Sequence, residues 1–496
     1  MTLDQATQNH RDRCGGLITC THPFAAKKWP FQRFSDNPRR LDYQTGKCSA
    51  FGMMKHSFLL NRRALLAGLG TTLLGPSVAA AQPTATQRRS LVLRARPRSL
   101  APRQGQAETG IWGLEPDGPG SGLSFARGEE IAVTFHNELP ASVILRWRGI
   151  DGSPASEPLT ARPPVAPGGS DTFSILFKHA GTSSCDIRLL GDRQARPSAA
   201  TALVVREAEP VAVDRDQVVL IEDWQLDGEG NAIAPGTNAG TARPIYTVNG
   251  QTAPDIAIRQ RERIRFRFIN GCQCNVIAIK IDSTATWIMA IDGQPAEPFL
   301  PRNGRLVLAP GSRIDVFVDA TEAAGSAFPI ILHDGTNPQP IARFVTSDEP
   351  PVRSAPLAPP DPLPSNGLPD QLDLKNALRT ELVFDRVPST PPGWIVPSAY
   401  APNLEPAFRV QRNRTVVAAL VNRATVPVTF HLHGHHFRLL DRLDDGWKPF
   451  WLDTLVVDAQ QTQRIAFLAE TPGSWLMQAK AMDWAAPTLI QIYEIT

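Results

Sequence analysis

Four of the ten histidines lie within six residues near the carboxyl terminus, in the stretch His431-Leu432-His433-Gly434-His435-His436. The β-branched and apolar segment 426–430 precedes this stretch and predicts a strand. Alternate side chains of a strand share one face, so His431, His433 and His435 would point the same way. Neutral imidazole binds copper, zinc, iron or nickel. The stretch therefore predicts a metal site, with a solvated histidine-rich turn as the alternative.

The elements that position these histidines are predicted to be strands. A chain of 496 residues corresponds to about three domains. The 45 prolines and 36 glycines suit many short strands separated by turns. No convincing amphipathic helix follows residue 82, so the predicted fold class is all-β.

One pattern recurs three times along the chain. In each copy an asparagine ends one strand and a second strand follows, at Asn137, Asn270 and Asn422. Pro-Gly turns at 167–168 and 310–311 then lead into further strands. Repeated β units of this size predict three serial Greek-key β-sandwich domains. Their expected limits are 82–207, 208–348 and 375–496, with a stiff Pro-rich linker at 349–374.

The amino-terminal region predicts an export signal at residues 54–81. The pair Arg62-Arg63 precedes a mildly apolar run that ends in Ala79-Ala80-Ala81, a cleavage pattern. A transmembrane anchor is the alternative, but the run is marginal in length for a span. We expect a cleaved twin-arginine-type signal, a periplasmic protein exported in the folded state, and no membrane span after cleavage. Residues 1–53 are too long for a signal's first segment and are interpreted as a mis-assigned upstream start.

Charge and cysteine content narrow the possible partners. Residues 1–81 carry 11 basic and 4 acidic side chains, so the remaining chain carries 40 and 44. This acidic balance does not favour a nucleic-acid partner. Cys185, Cys272 and Cys274 remain after cleavage, and an odd count argues against a disulfide framework. We expect buried thiols, with a soft-metal pair at Cys272 and Cys274 as the alternative.

The order of these motifs resembles the three-domain multicopper oxidases, whose domains are cupredoxin-like. The resemblance covers nearly all of residues 90–496 and includes segments 246–250, 290–295 and 453–454. It implies a trinuclear copper cluster held by four His-x-His pairs, two from the first domain and two from the third. It also implies a mononuclear copper centre with a cysteine ligand in the third domain.

Only one of the four pairs keeps its histidines, at His431 and His433. The other cluster positions fall on Arg146, Arg148, Asp186, Arg188, Gln478 and Lys480, and those of the mononuclear centre fall on Val428, Ala479, Trp484 and Leu489. Guanidinium groups donate hydrogen bonds and offer no lone pair to a metal. The resemblance therefore implies that most copper ligands are replaced, with Asp186 alone to offset four cations. Copper is expected at most as a single, weakly bound ion at His431, His433 and His435.

Two functions of different classes follow. The first is a non-enzymatic periplasmic scaffold or stabilising protein with an unknown protein partner, similar to the FtsP (SufI)-type members of the family. The alternative is a copper-binding oxidoreductase with a residual metal site at the histidine stretch. A third possibility, which the family resemblance would suggest, is a true oxidase of phenols, metal ions or nitrite. A fourth is an anion site formed by the arginine cluster. If the protein is a scaffold, His431 and His433 would be neutral members of a hydrogen-bonded network between the first and third domains.

Overall fold

A computed structural model describes residues 89–102, 105, 107–117, 123–282, 285–385, 393–440 and 446–496. The only helical segments among these residues are four single 3₁₀ turns, at Pro154–Ser156, Gly191–Arg193, Arg302–Gly304 and Pro397–Ala399. The all-β prediction is confirmed. Within the same residues no helix is long and apolar enough to cross a membrane. The predicted signal at 54–81 and the segment 1–53 lie outside the described residues.

The strands before residue 207 form two four-stranded sheets, with the orders β2-β1-β4-β6 and β3-β8-β7-β5. Alternating apolar side chains such as Leu93, Val133 and Phe135 fill the core that these sheets share. The strands are β1 (Arg89–Leu100), β2 (Thr109–Pro116), β3 (Leu123–Ala126), β4 (Glu130–Asn137), β5 (Arg146–Arg148), β6 (Ser170–Leu176), β7 (Gly181–Asp186) and β8 (Thr201–Arg206).

The next eleven strands form a six-stranded sheet, β10-β9-β12-β17-β14-β15, and a five-stranded sheet, β11-β19-β18-β13-β16. Phe266, Phe268 and Phe344 lie in the core of this second domain. The strands are β9 (Arg215–Trp224), β10 (Ile245–Val248), β11 (Asp255–Ile258), β12 (Arg263–Asn270), β13 (Ile277–Ile281), β14 (Thr286–Ile291), β15 (Gln294–Phe299), β16 (Arg305–Leu308), β17 (Arg313–Asp319), β18 (Ala327–His333) and β19 (Pro338–Thr346).

The last nine strands form the sheets β20-β22-β26-β24 and β21-β28-β27-β23-β25. Phe430, Trp475 and Tyr493 are buried between them. The strands are β20 (Leu378–Phe384), β21 (Arg409–Val410), β22 (Thr415–Asn422), β23 (Val428–Leu432), β24 (Arg438–Leu439), β25 (Thr454–Val457), β26 (Thr462–Leu468), β27 (Gly473–Ala481) and β28 (Thr488–Ile495).

The recurring asparagine has one structural role in all three domains. The side-chain oxygen of Asn137 accepts from the backbone N–H of Leu139, and its amide donates to the carbonyls of Ala141 and Val165. The corresponding three bonds are formed by Asn270 and by Asn422. One buried side chain thus satisfies the backbone where the strand ends and fixes the path to the next strand. These shared bonds explain why an asparagine ends a strand in each of the three copies of the sequence pattern.

The Pro-rich segment 349–374 contains no strand or helix. Its Asn366 is buried and exchanges two hydrogen bonds with the backbone of Ala180, at 2.9 and 2.8 Å. The same amide donates to the side-chain oxygen of Gln294 at 3.0 Å. The segment therefore joins the first and second domains through a specific contact. A stiff linker alone would not require such a contact.

The three cysteines of the described residues are free and buried, as predicted. Burial raises the pKa of the Cys274 thiol to about 12, so this group is protonated at neutral pH. An unperturbed thiol deprotonates near pH 8.5.

Candidate functional site

Two short strand pairs bring the predicted residues together. On β5 and β7, Arg146 lies opposite Asp186 in an antiparallel register. On β23 and β27, His431 lies opposite Gln478. These pairs face each other across the junction of the domains and line a cavity of about 80 Å³. Of the sequence-predicted residues it collects Arg146, Arg148, Asp186, Arg188, His431, Gln478, Ala479 and Lys480.

Arg146 links the first domain to the third. Its Nη2 donates to both carboxylate oxygens of Asp186 at 2.7 Å, and its Nη1 donates to Oε1 of Gln478 at 2.7 Å. Burial would raise the pKa of Asp186, but Arg146 and Arg188 outweigh it and hold this pKa at about 2. The predicted pairing of Asp186 with an arginine is confirmed.

Arg188 points instead into the second domain. Its Nη2 donates to Glu222 at 2.6 Å, and its Nη1 donates to the carbonyl of Gly271 at 2.5 Å. The expectation that Asp186 alone offsets the four cations is therefore wrong, because Glu222 provides a second buried carboxylate. Glu222 lies on β9, where no spacing in the sequence relates it to the arginine cluster.

Arg148 and Lys480 have no such partner. Nη1 of Arg148 is buried and donates to no acceptor within the described part of the chain. Burial, followed by the repulsion of Arg146, lowers the pKa of Arg148 to about 9, so the side chain is still charged at neutral pH. Burial also lowers the pKa of Lys480, whose ammonium forms no salt bridge among the described residues. The cavity thus contains two cations without carboxylate partners.

His431 and His433 lie close together but bond to different groups. Their ring centroids are 4.8 Å apart. Nδ1 of His431 is 3.1 Å from the carbonyl oxygen of Asp453 and 3.0 Å from the hydroxyl of Thr454. Burial, and then the charge of Arg148, lowers the pKa of His431 well below its ordinary value. The ring is therefore neutral and can take part in a hydrogen-bonded network.

His433 turns towards a carboxylate that the sequence did not reveal. Its Nδ1 lies 2.8 Å from Oε1 of Glu157, a residue of the first domain that is 5% exposed. The same oxygen accepts the backbone N–H of Leu476 at 3.1 Å. His433 thus joins the third domain to the first through Glu157, apart from the arginine cluster.

β23 carries His431 and ends at Leu432, so alternation along a strand no longer determines where the later rings point. Gly434 follows with φ of 72°, and an added Cβ there would lie 2.2 Å from the Trp475 ring. After this turn His435 lies within the third domain, with Nδ1 2.8 Å from the Tyr493 hydroxyl. Burial lowers the pKa of His435 to about 4.

His436 belongs to a buried group that the sequence analysis missed. Its Nδ1 lies 2.7 Å from Oδ2 of Asp151, and Nδ1 of His179 lies 3.3 Å from the same oxygen. The donor atoms of these three residues lie within 4.8 Å of one another. Asp151 and His179 are 28 residues apart in the sequence, with no motif linking them. The position of His436 at the end of the histidine stretch was the one available signal.

The positions aligned with a mononuclear copper centre are apolar. Val428 and Ala479 are buried in the core of the third domain, and Leu489 packs against that core. The indole of Trp484 donates to the carbonyl of Ala234 in the second domain at 3.2 Å. These residues therefore pack the fold and provide neither a thiolate nor an imidazole.

Replacing both His431 and His433 by alanine should lower the free energy of unfolding by about 2 kcal/mol, because Glu157 loses its buried donor. Urea unfolding followed by fluorescence measures this change. His136→Ala, at a partly exposed histidine of β4, is the matched control and should be near neutral. Full stability combined with loss of a stoichiometric metal would instead support a metal site.

Comparison with known protein families gives a match in each of the three domains. Three family profiles described as multicopper oxidase match residues 98–208, 215–348 and 375–488. The multicopper oxidase MmcO of Mycobacterium tuberculosis is 26% identical over 416 residues, 72% of this chain and 78% of that protein. Copper resistance protein A of Escherichia coli is 25% identical over 283 residues, 45% of this chain and 44% of that protein.

Solved structures show the same fold. A multicopper oxidase from Pseudomonas thermotolerans superposes with a TM-score of 0.69 at 24% identity, over 82% of this chain and 99% of that one. McoA of Aquifex aeolicus superposes with a TM-score of 0.67 at 16% identity, over 82% and 96%. With these matches, the chain belongs to the multicopper oxidase family and is built from three cupredoxin-like domains.

Proposed function

We propose that this protein is a copper-free member of its family that acts in the periplasm as a non-enzymatic scaffold or stabilising protein. The observation that carries the proposal is the replacement of metal ligands by cations at the cavity. Arg146, Arg148 and Lys480 lie where the family resemblance places histidines. Guanidinium and ammonium groups have no free lone pair, and their charge repels a dication.

Copper, which the family implies, does not fit these residues. Among the residues that the structure describes, His431 is the one imidazole lining the cavity, and His433 is bonded to Glu157 through Nδ1. The thiolate position of the mononuclear centre holds Ala479 within an apolar core. A blue-copper site requires a cysteine sulfur together with imidazoles. We therefore assign no redox step to this protein.

A scaffold role is supported by the extent to which buried polar contacts hold the domains together. Arg146 joins the first and third domains, and Arg188 joins the first and second. Asn366 connects the Pro-rich segment 349–374 to the first and second domains. The surface rather than a reaction centre would then carry the function, through a periplasmic protein partner. The similarity to FtsP (SufI)-type proteins and the export signal at 54–81 belong to this same proposal.

A second candidate function is a residual metalloprotein with one ion. The observation that favours it is the buried group of Asp151, His179 and His436. Metal binding there would have to displace the proton that His436 shares with Asp151. Burial alone would lower the pKa of His436, but Asp151 outweighs it and raises this pKa to about 9. We therefore favour an ion pair at this position.

Metal analysis of the exported protein tests both candidates. After incubation with copper and removal of the free ion, we expect substantially less than one copper per chain. We also expect no blue absorption and no oxidation of phenolic substrates. Amino-terminal sequencing of the same sample should begin near Gln82.

The stoichiometry separates the alternatives. One tightly held copper per chain, lost in Asp151→Asn but retained in Asp255→Asn, would support the residual metal site. Asp255 is exposed and pairs with Arg343, so its variant controls for nonspecific loss of a carboxylate. A full copper complement with phenol oxidation would overturn the proposal.

A further inference from the structure

We infer that the cavity at the domain junction binds a small, multiply charged oxyanion of the phosphate or sulfate class. The first support is an imbalance of charge. Of the four cations lining the cavity, Arg146 is paired with Asp186 and Arg188 with Glu222. Arg148 and Lys480 are left without salt bridges among the described residues. Nη1 of Arg148 is buried without an acceptor, whereas Lys480 is partly exposed on the cavity wall. A buried charge without a partner is strongly unfavourable, so an anion that reaches Arg148 would be stabilising.

The second support is a neutral donor whose orientation is fixed. Gln478 is 3% exposed and lines the cavity. An arginine can only donate, so the bond from Arg146 at 2.7 Å requires that Gln478 presents its oxygen there. Its amide nitrogen is consequently directed elsewhere, and this atom is buried without a hydrogen-bond acceptor in the described structure. A buried amide donor of this kind calls for an acceptor.

The free groups define the chemistry of the ligand. Nη1 of Arg148, Nζ of Lys480 and Nε2 of Gln478 are all donors, and none of them can coordinate a cation. A ligand with several acceptor oxygens and more than one negative charge satisfies all three. Charge-assisted bonds to phosphate or sulfate are the strong form of this interaction. A halide carries one charge and no separated acceptor oxygens, so it would compensate less of this charge than phosphate or sulfate does.

Nearby acids do not remove the need for an anion. Asp223 is the acid that acts on Lys480 electrostatically, but its carboxylate already accepts from the N–H of Gln273 and the amide of Asn275, each at 2.7 Å. Asp192 lies at the exposed part of the lining and accepts from the Ser398 hydroxyl. Neither forms a salt bridge with Lys480 in the described structure.

The cavity has the size and the access that this ligand needs. Its volume of about 80 Å³ is several times the roughly 10–15 Å³ that one water molecule requires. Part of the lining, including Asp192 and Gly236, is exposed to solvent. A small anion can therefore enter between the domains without unfolding either of them.

Titration calorimetry with inorganic phosphate at neutral pH and low ionic strength tests the inference. We expect saturable binding of one phosphate per chain, reproduced by sulfate and not by chloride at equal ionic strength. Phosphate should also raise the melting temperature of the full exported chain, since ligand that binds only the folded state stabilises it. Absence of saturable binding, or equal binding of chloride, would overturn the inference.

Two variants assign the binding to this cavity. Gln478→Glu keeps an oxygen towards Arg146, so it should fold, but it replaces the free donor by an acceptor and adds a repelling charge. Lys480→Met removes one cation and keeps the aliphatic stem. Each should weaken phosphate binding at least about tenfold, the loss of one charge-assisted hydrogen bond.

Lys280→Met is the matched control, because Lys280 is exposed and pairs with Asp282. Its phosphate affinity should equal that of the unmodified protein. Unchanged affinity in both cavity variants would place the anion elsewhere and refute the assignment. The outcome is independent of the copper analysis, because phosphate binding is measured on metal-free protein.

Discussion

Replacing Arg313 by leucine is expected to lower the free energy of unfolding by about 3–5 kcal/mol, the cost of removing one partner from a buried ion pair. The Arg313 side chain is 0% exposed and lies where all three domains meet. Its Nη1 and Nη2 donate to the two carboxylate oxygens of Asp453 at 2.9 and 2.7 Å. Its Nε donates to the carbonyl of Thr182 in the first domain at 3.1 Å.

The effect should be large because a second carboxylate shares the same site. Asp292 accepts the backbone N–H groups of Arg313, Asp453 and Thr454. Burial, and then the charge of Asp453, raises the pKa of Asp292 to about 6 even with Arg313 present. Without the guanidinium, less positive charge would balance the two buried carboxylates, and one of them would have to take up a proton.

Urea unfolding of the purified chain measures this loss. The matched control is Arg343→Leu, which removes an exposed arginine whose pair with Asp255 is 2.7 Å long. Exposed pairs contribute about 0–1 kcal/mol, so the control should change little. A double-mutant cycle with Asp453→Asn should give a coupling energy of more than about 1 kcal/mol. Equal small losses at Arg313 and Arg343 would show that Arg313 does not hold the domains together.

The features that the sequence predicted well are those set by local chemistry. Asn137, Asn270 and Asn422 each donate to a backbone carbonyl four or five residues further along, which fixes the turn that follows each of them. The convergence of Arg146 with Asp186 followed from the family resemblance. The buried cysteines were predictable because an odd number of thiols argues against a disulfide framework.

The features that the sequence did not predict depend on contacts between distant residues. Glu157 meets His433 and Glu222 meets Arg188, although neither carboxylate lies in a motif. Asp151 and His436 are 285 residues apart. A strand pattern also assumes that the strand continues, whereas β23 ends before His433 and redirects His435 into the core of its domain. Position within the tertiary structure, rather than residue type, decided these contacts.

The stabilising effect of His436 is expected to disappear at alkaline pH. Its Nδ1 donates to Asp151 at 2.7 Å and its Nε2 donates to the carbonyl of Asp292 at 2.8 Å. Both ring nitrogens can donate only when the imidazole is protonated. Burial alone would lower the pKa of His436, but the Asp151 carboxylate, with a further contribution from Asp453, raises it to about 9.

The direction of the pH dependence follows from this raised pKa. An unfolded histidine has a pKa of about 6.5, so the folded protein holds the proton more tightly. The stabilisation is fully present below about pH 6.5 and is lost as pH rises towards about 9. A difference of about 2.5 pKa units corresponds to about 3 kcal/mol. The difference in unfolding free energy between the unmodified protein and His436→Gln should therefore shrink by about 3 kcal/mol between about pH 6 and pH 9.5.

Unfolding measured at both pH values, with His136→Gln as a control on a partly exposed strand, tests this prediction. Other groups face the His436 ring, including His179, the amide of Gln294 at 3.4 Å and the Asp453 carboxylate at 3.8 Å. Comparing each variant with the unmodified protein at the same pH removes titrations that they share. A difference that stays constant would show that His436 is neutral when folded. The ion pair with Asp151 would then be absent, and a metal ion could bind those donors without displacing a tightly held proton.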